Sequence, residues 1–274
     1  MCLMLFAWCA HPDYRLVFAG NRDEAYERPS APAAFWNDQP RLFGGRDLEK
    51  GGSWLGLTLS GRIAGVTNYR DGPSHRSAPR SRGELVANFL RTDAGPRPYL
   101  EQVHAAGAQY GGFSLIVGDL TQLFYCANRG NGFEEIAPGV HGLSNHLLDT
   151  SWPKVRKGRE RIEALLGHAE VDLVHGLFEL LADRMVAPDA ELPDTGIGLQ
   201  RERELSPCFI AGERYGTRAC TVLLINRDNE VLFVERTFGP RGVPLGVAEH
   251  RFSIDSPIPG TLTTESRGIA PTKS

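Results

Sequence analysis

Residues 1–24 read MCLMLFAWCAHPDYRLVFAGNRDE. Cys2–Ala10 is an unbroken apolar run of nine residues, too short for the roughly 20 that a membrane span needs, and it reads as a buried strand rather than an amphipathic helix. His11, Pro12 and Asp13 supply a turn. Arg15–Gly20 then forms a second strand, and the two make an antiparallel hairpin. The geometry of a hairpin brings the end of the second strand, Asn21-Arg22-Asp23-Glu24, beside the start of the first, Cys2.

Working outward, residues 25–52 are rich in Pro, Gly and charge and read as a long loop. Trp54–Leu59 and Ile63–Asn68 form a hairpin across Ser60-Gly61-Arg62. Arg70–Arg80 reads as a surface loop. Ser81 is an N-cap, with Glu84 three residues on and an apolar stripe at Leu85, Val86, Phe89 and Leu90, so a helix follows. Further expectations are a short helix over Pro98–Ala106, strands over Phe113–Gly118, Gln122–Ala127 and Gly139–Leu143, and helices over Lys154–Leu166 and Val171–Met185. Residues 187–206 read as an acidic loop. Thr217–Ile225 and Val231–Phe238 are strands, with a last one near His250–Ile254. Strands pair with their sequence neighbours and helices come in blocks, which predicts an α+β fold with largely antiparallel sheets. Residues 1–255 read as one domain and 256–274 as a polar, poorly ordered tail.

Across 274 residues, 41% are hydrophobic and 23% charged, ordinary values for a globular chain. A formal charge of −3 excludes a dedicated nucleic-acid binder. Of the 30 cationic residues only Lys50, Lys154, Lys157 and Lys273 are lysines. Codon bias from a GC-rich genome accounts for that excess of arginine, and a phosphate-binding surface is the sharper alternative. Five cysteines with no CxxC argue against a disulfide framework or a zinc ribbon, and with no basic leader segment they suggest reduced thiols in a cytoplasm. No P-loop, GxSxG or HExxH motif occurs.

Cys2 carries the chemistry. Removal of the initiator Met would expose a thiol and an α-amine on one residue, and an amine with a pKa near 8 can serve as general base to its own side chain. Arg22 beside the thiol would favour thiolate, and Asp23 would orient the α-ammonium group. Asn68 and Asn145, each ending a strand, could donate to an oxyanion or sit as ordinary turn asparagines. Arg218, a charged residue opening a strand, needs a partner or a sheet edge.

These residues, together with Gly51-Gly52-Ser53-Trp54-Leu55-Gly56, Thr67-Asn68-Tyr69-Arg70, Ser81-Arg82-Gly83-Glu84-Leu85, Leu143-Ser144-Asn145 and Gly216-Thr217-Arg218, resemble the NRDE family, also called transport and Golgi organisation 2, from residue 1 to about residue 254. The resemblance implies an N-terminal-nucleophile (Ntn) hydrolase-like fold, a four-layer αββα sandwich. That group is similar to cysteine amidohydrolases that cleave bile-salt and penicillin amides. Carried over, Cys2 matches the nucleophile, Asp23 the amine-orienting acid, Asn68 and Asn145 the oxyanion and substrate asparagines, and Arg218 the distal arginine. Arg22 departs in spacing, because the hydrolases place their arginine three residues before the aspartate.

Two functions follow as expectations. One is an amidohydrolase for a small non-peptide amide, needing no cofactor or metal. The other is a non-catalytic carrier of an amphipathic ligand such as haem or an acyl-CoA, with Cys2, Cys9 or His11 near the ligand.

Overall fold

The computed structural model describes residues 2–72 and 78–255. The expected tail at 256–274 and the centre of the expected loop at 70–80 lie outside the described residues. Cys2–Trp8 forms β1 and Tyr14–Ala25 forms β2, paired in the register Cys2↔Arg22 through Trp8↔Leu16. On its other side β2 pairs with β11, Tyr215–Asn226. With β10 (Gly139–Leu143), β12 (Glu230–Phe238) and β13 (Pro244–Ser253) they build a six-stranded sheet of order β10-β1-β2-β11-β12-β13. The second sheet runs β3-β4-β5-β6-β7-β8-β9. Its strands are Ser30–Trp36, Gln39–Asp47, Leu55–Thr58, Ile63–Asn68, Phe113–Gly118, Leu123–Ala127 and Gly132–Glu135. Neighbouring strands pair antiparallel in both sheets.

Strand alternation explains the layers. Met4, Phe6 and Phe18 of the first sheet face Phe43, Leu57 and Ile116 of the second in one dry core. The opposite face of the first sheet carries Leu3, Leu5, Val17, Val222 and Leu224. It is covered by α3 (Pro153–Leu165) and α4 (Glu170–Leu181). The outer face of the second sheet, with Val66, Leu115 and Phe124, is covered by α1 (Arg82–Arg91) and α2 (Pro96–Ala105). Each strand of β1–β2 is therefore apolar on both faces, which is why Cys2–Trp8 reads as a continuous run. The order helices, sheet, sheet, helices is the expected αββα sandwich.

The structure corrects three expectations. Residues 25–52 are not a loop, because β3 and β4 form an edge hairpin there. Its pairing is broken by two register shifts, so the period-2 signal is interrupted, yet Ala33, Trp36, Leu42 and Phe43 are buried. Residues 187–206 contain α5, Leu199–Leu205. Its buried residues are Glu202 and Leu205, and the charged remainder hides that stripe. The segment Asn21–Glu24 is not a strand terminus but lies within β2. Asn21 stays in the sheet, buried, because its Nδ2 donates to the carbonyls of Leu181 (2.9 Å) and Cys208 (2.8 Å).

Two sequence motifs meet at the cleft rim. Ser53 N–H donates to Gly83 O at 3.1 Å. A Cβ on Gly52 would lie 2.4 Å from the Gly83 carbonyl carbon, so the chain can cross the start of α1 only without a side chain there. Ser81 and Glu84 form the expected capping box on α1.

Candidate active site

The open ends of β1, β2, β6 and β11, with the start of α1, surround a cleft of about 1720 Å³. Cys2, Arg22, Asp23, Asn68 and Arg218 all line it. Cys2 is 7% exposed. Arg22 is its cross-strand partner, so the departure in spacing does not separate guanidinium from thiol.

Successive residues on a strand point to opposite faces, so Arg22 shares the inter-sheet face with Cys2 while Asp23 turns toward the helical layer. There Asp23 is buried, and its Oδ1 accepts a hydrogen bond from Thr217 Oγ1 at 2.7 Å. The Thr217 hydroxyl in turn accepts from the Ile210 N–H at 2.9 Å. Tyr215 OH donates to the Asp23 carbonyl at 3.0 Å. Burial pushes the Asp23 carboxyl up from its ordinary value, opposed by Lys154 and the Thr217 hydrogen bond. Lys154, at the start of α3 and 6% exposed, donates to Leu205 O at 2.9 Å. Burial pushes its ammonium down, opposed by Asp23.

The expected thiolate is corrected. Burial raises the Cys2 thiol above its ordinary value and outweighs the pull of Arg22, while Asp23 raises it further. A thiol raised in this way would need a base to take its proton before it could act as a nucleophile.

Arg218 sits at a β-bulge: Thr217 pairs with Asp23 but Ala219 pairs with Arg22, leaving Arg218 as the extra residue. Its Nη1 donates to the carbonyls of Ala25 (3.2 Å) and Arg28, which answers the need for a partner with main-chain oxygens. Asn145 stands apart from the other five. It is fully buried, adopts φ 58° and donates from Nδ2 to Asn68 O at 3.1 Å. Its carboxamide holds the strand end that carries Asn68. Its carbonyl accepts from Arg70 N–H at 2.8 Å.

The sequence reading passed over Lys154, Arg82 and the pair Arg70–Glu202. Lys154 falls on the stripe Lys154-Gly158-Ile162 that α3 buries, a signal visible in its spacing. Arg70 and Glu202 meet at 2.5 Å with side chains 6% and 3% exposed. Arg70 also stacks on Trp152, 4.9 Å from the ring centre. Glu202 additionally accepts from the Thr195 N–H and hydroxyl. Tyr69 OH donates to His146 Nε2 at 2.7 Å. This direction follows because Thr150 Oγ1 donates to Leu147 O and can only accept from His146 Nδ1–H. Cys9 and His11 do not line the cleft. They stand at the far end of β1, roughly 20 Å from Cys2 by strand rise.

The family model for Transport and Golgi organisation 2 matches residues 1–240. The chain belongs to the Transport and Golgi organisation 2 family. Among its relatives, the Transport and Golgi organization protein 2 homolog of Bos taurus is 36% identical over 281 residues, covering 93% of this chain and 100% of the relative. The Homo sapiens homolog is 35% identical over 257 residues, covering 86% and 93%. The Drosophila melanogaster protein is 29% identical over 265 residues, covering 86% and 92%. Among solved structures, this family member gives a TM-score of 0.48 at 7% identity with a mutant conjugated bile acid hydrolase from Clostridium perfringens, covering 93% of this chain and 92% of that one. It gives 0.39 at 14% identity with the Caenorhabditis elegans ortholog of N-acylethanolamine-hydrolyzing acid amidase, covering 81% and 92%. Among the described residues, no helix is long and apolar enough to cross a membrane.

Proposed function

We propose that this family member is a cysteine amidohydrolase acting on a small non-peptide amide in the cytoplasm. The observation that carries this reading is Cys2, at the head of a central strand and on the cleft wall, paired across the strand with Arg22 and backed by Asp23 and Thr217. After loss of Met1, the α-amine takes the thiol proton as sulfur attacks the amide carbonyl. A C–S bond forms and the carbonyl oxygen becomes an oxyanion, stabilised by the Asn68 carboxamide. Collapse breaks the C–N bond and the α-ammonium protonates the leaving amine. Water then hydrolyses the thioester, with the amine again as base, releasing the acid and restoring the thiol. No step needs a metal or cofactor.

Intact mass of protein purified from its own host tests the first requirement, and a retained Met1 would rule out this mechanism. A panel of amides tests the second: hydrolysis should appear with the wild type and vanish in Cys2→Ala.

A second reading, a carrier for an amphipathic ligand such as haem or an acyl-CoA, draws on the size of the cleft. Its 1720 Å³ exceeds the roughly 300–1000 Å³ of most small-molecule sites. Under that reading ligand affinity survives Cys2→Ala unless the thiol ligates. For haem, a Soret band unchanged by stoichiometric protein would count against it.

A further inference from the structure

Arginines crowd the cleft, and most are answered. Arg28, Arg70, Arg80 and Arg129 each lie between 2.5 and 3.1 Å from a carboxylate oxygen. Arg22, Arg82 and Arg218 line the same cleft and make no ion pair among the described residues. Arg22 and Arg218 stand on the sheet beside Cys2, and Arg82 faces the same cleft. Arg22 is opposite Cys2 across the hairpin. Arg218 is the bulged residue beside the Arg22–Ala219 pair. Arg82, at the first turn of α1, lies within electrostatic reach of Glu24 and Cys2, and among the described residues it donates to Gly112 O at 3.2 Å.

The nearby carboxylates are Glu24, whose charge reaches Arg82 and Arg218, and Glu235, whose charge Arg22 feels. Glu24 Oε1 accepts from the Ala25 N–H at 2.9 Å. Glu235 is buried and accepts from the Ala33 N–H at 2.9 Å. Three guanidiniums on one cleft, with Glu24 as the carboxylate that Arg82 and Arg218 share, leave positive charge that an anion would answer. Guanidinium forks suit a carboxylate or phosphate.

We infer that Arg22, Arg82 and Arg218 form a subsite for an anionic group, a carboxylate or phosphate, carried by the substrate next to its scissile amide. This rests on the hydrolase reading and names its substrate class.

The test uses the full chain and reads Cys2 directly. Alkylation by iodoacetate and by iodoacetamide is followed by peptide mass spectrometry on the Cys2 peptide, with glutathione as reference. The anionic reagent should be favoured about tenfold over its ratio on glutathione, as a focused positive field requires. The preference should fall with salt, fall in Arg82→Gln and Arg218→Gln, and return in Arg82→Lys. A ratio equal to that of glutathione would overturn the subsite. Protection of Cys2 by acetate more than by inorganic phosphate assigns the group as carboxylate, and the reverse order assigns phosphate. Protection by neither overturns the subsite.

Paired substrates separate this inference from its parent reading. N-hexanoylglycine should be cleaved faster than N-hexanoylpropylamine, with Arg82→Gln raising KM for the former. Equal turnover removes the anion subsite and leaves the hydrolase. No turnover across the amide panel, with the iodoacetate preference intact, removes the hydrolase and leaves the anion site.

Discussion

Replacing Glu202 with Gln isolates a deeply buried ion pair of the site's frame. The change keeps shape and the acceptor for Thr195, but leaves the Arg70 charge without a carboxylate in a setting where the two side chains are 6% and 3% exposed. Breaking a buried pair by removing one partner costs about 3–5 kcal/mol. The Trp152 face at 4.9 Å offsets part of this, so the low end, about 3 kcal/mol, is expected. For a chain of this size that lowers Tm by about 6–12 °C. Calorimetry or urea unfolding measures it. The double variant Arg70→Met/Glu202→Leu, which removes both charges, should recover most of the loss. A loss below about 1 kcal/mol, the scale of exposed pairs, would refute the argument. So would a double variant as unstable as the sum of the singles.

Gly52→Ala forces a Cβ against the Gly83 backbone and should cost about 1–3 kcal/mol; unchanged stability would show that the rim can shift. In Lys154→Met, Asp23 loses one of the cations that oppose its burial, so the acid limb of the pH–rate profile should move to higher pH; an unmoved limb would remove Lys154 from the electrostatics of the site. His146 lies below its ordinary 6.5 through burial, so the folded state resists a proton that the unfolded chain accepts. Stability should fall as pH drops from 6.5 through that lowered value, and His146→Gln should flatten this acid slope in urea titrations. His141 has the opposite sign. Both its ring nitrogens face acceptors, Asp149 Oδ2 at 2.8 Å and Ala137 O at 2.9 Å, and the Asp149 hydrogen bond raises its value. Its contribution is complete below 6.5 and fades as pH rises through the raised value, and His141→Gln should abolish that alkaline slope.

The central strands were legible because both faces of β1 and β2 are covered, which leaves long apolar runs with turn residues between them. The edge hairpin β3–β4 was not, since bulges break its alternation and solvent meets one of its sides. Cys2 and Arg22 were legible as neighbours from hairpin logic alone. The sign of the thiol shift was not: Arg22 is visible in the sequence, whereas the burial that overrides it belongs to packing against the second sheet. Lys154 and the Arg70–Glu202 pair went unseen for a related reason. Their partners lie far away in sequence, and a charged side chain in a polar stretch looks solvated until the chain folds over it. Asn145 illustrates the reverse, a chemically apt residue that the fold buries and ties through its carboxamide to Asn68.

The bulge at Arg218 has a wider consequence. It works as a phase shift in the sheet: before it, Thr217 keeps step with Asp23, and after it, Val222 and Leu224 keep step with the helical layer. Deleting one residue there would force a choice between two inverted halves. Either Thr217 leaves Asp23, or the apolar side chains from Val222 onward exchange faces. Chemistry at one end of β11 and packing at the other are thus locked to a single residue count, so a chain-length change that surface loops would absorb is not open to this strand.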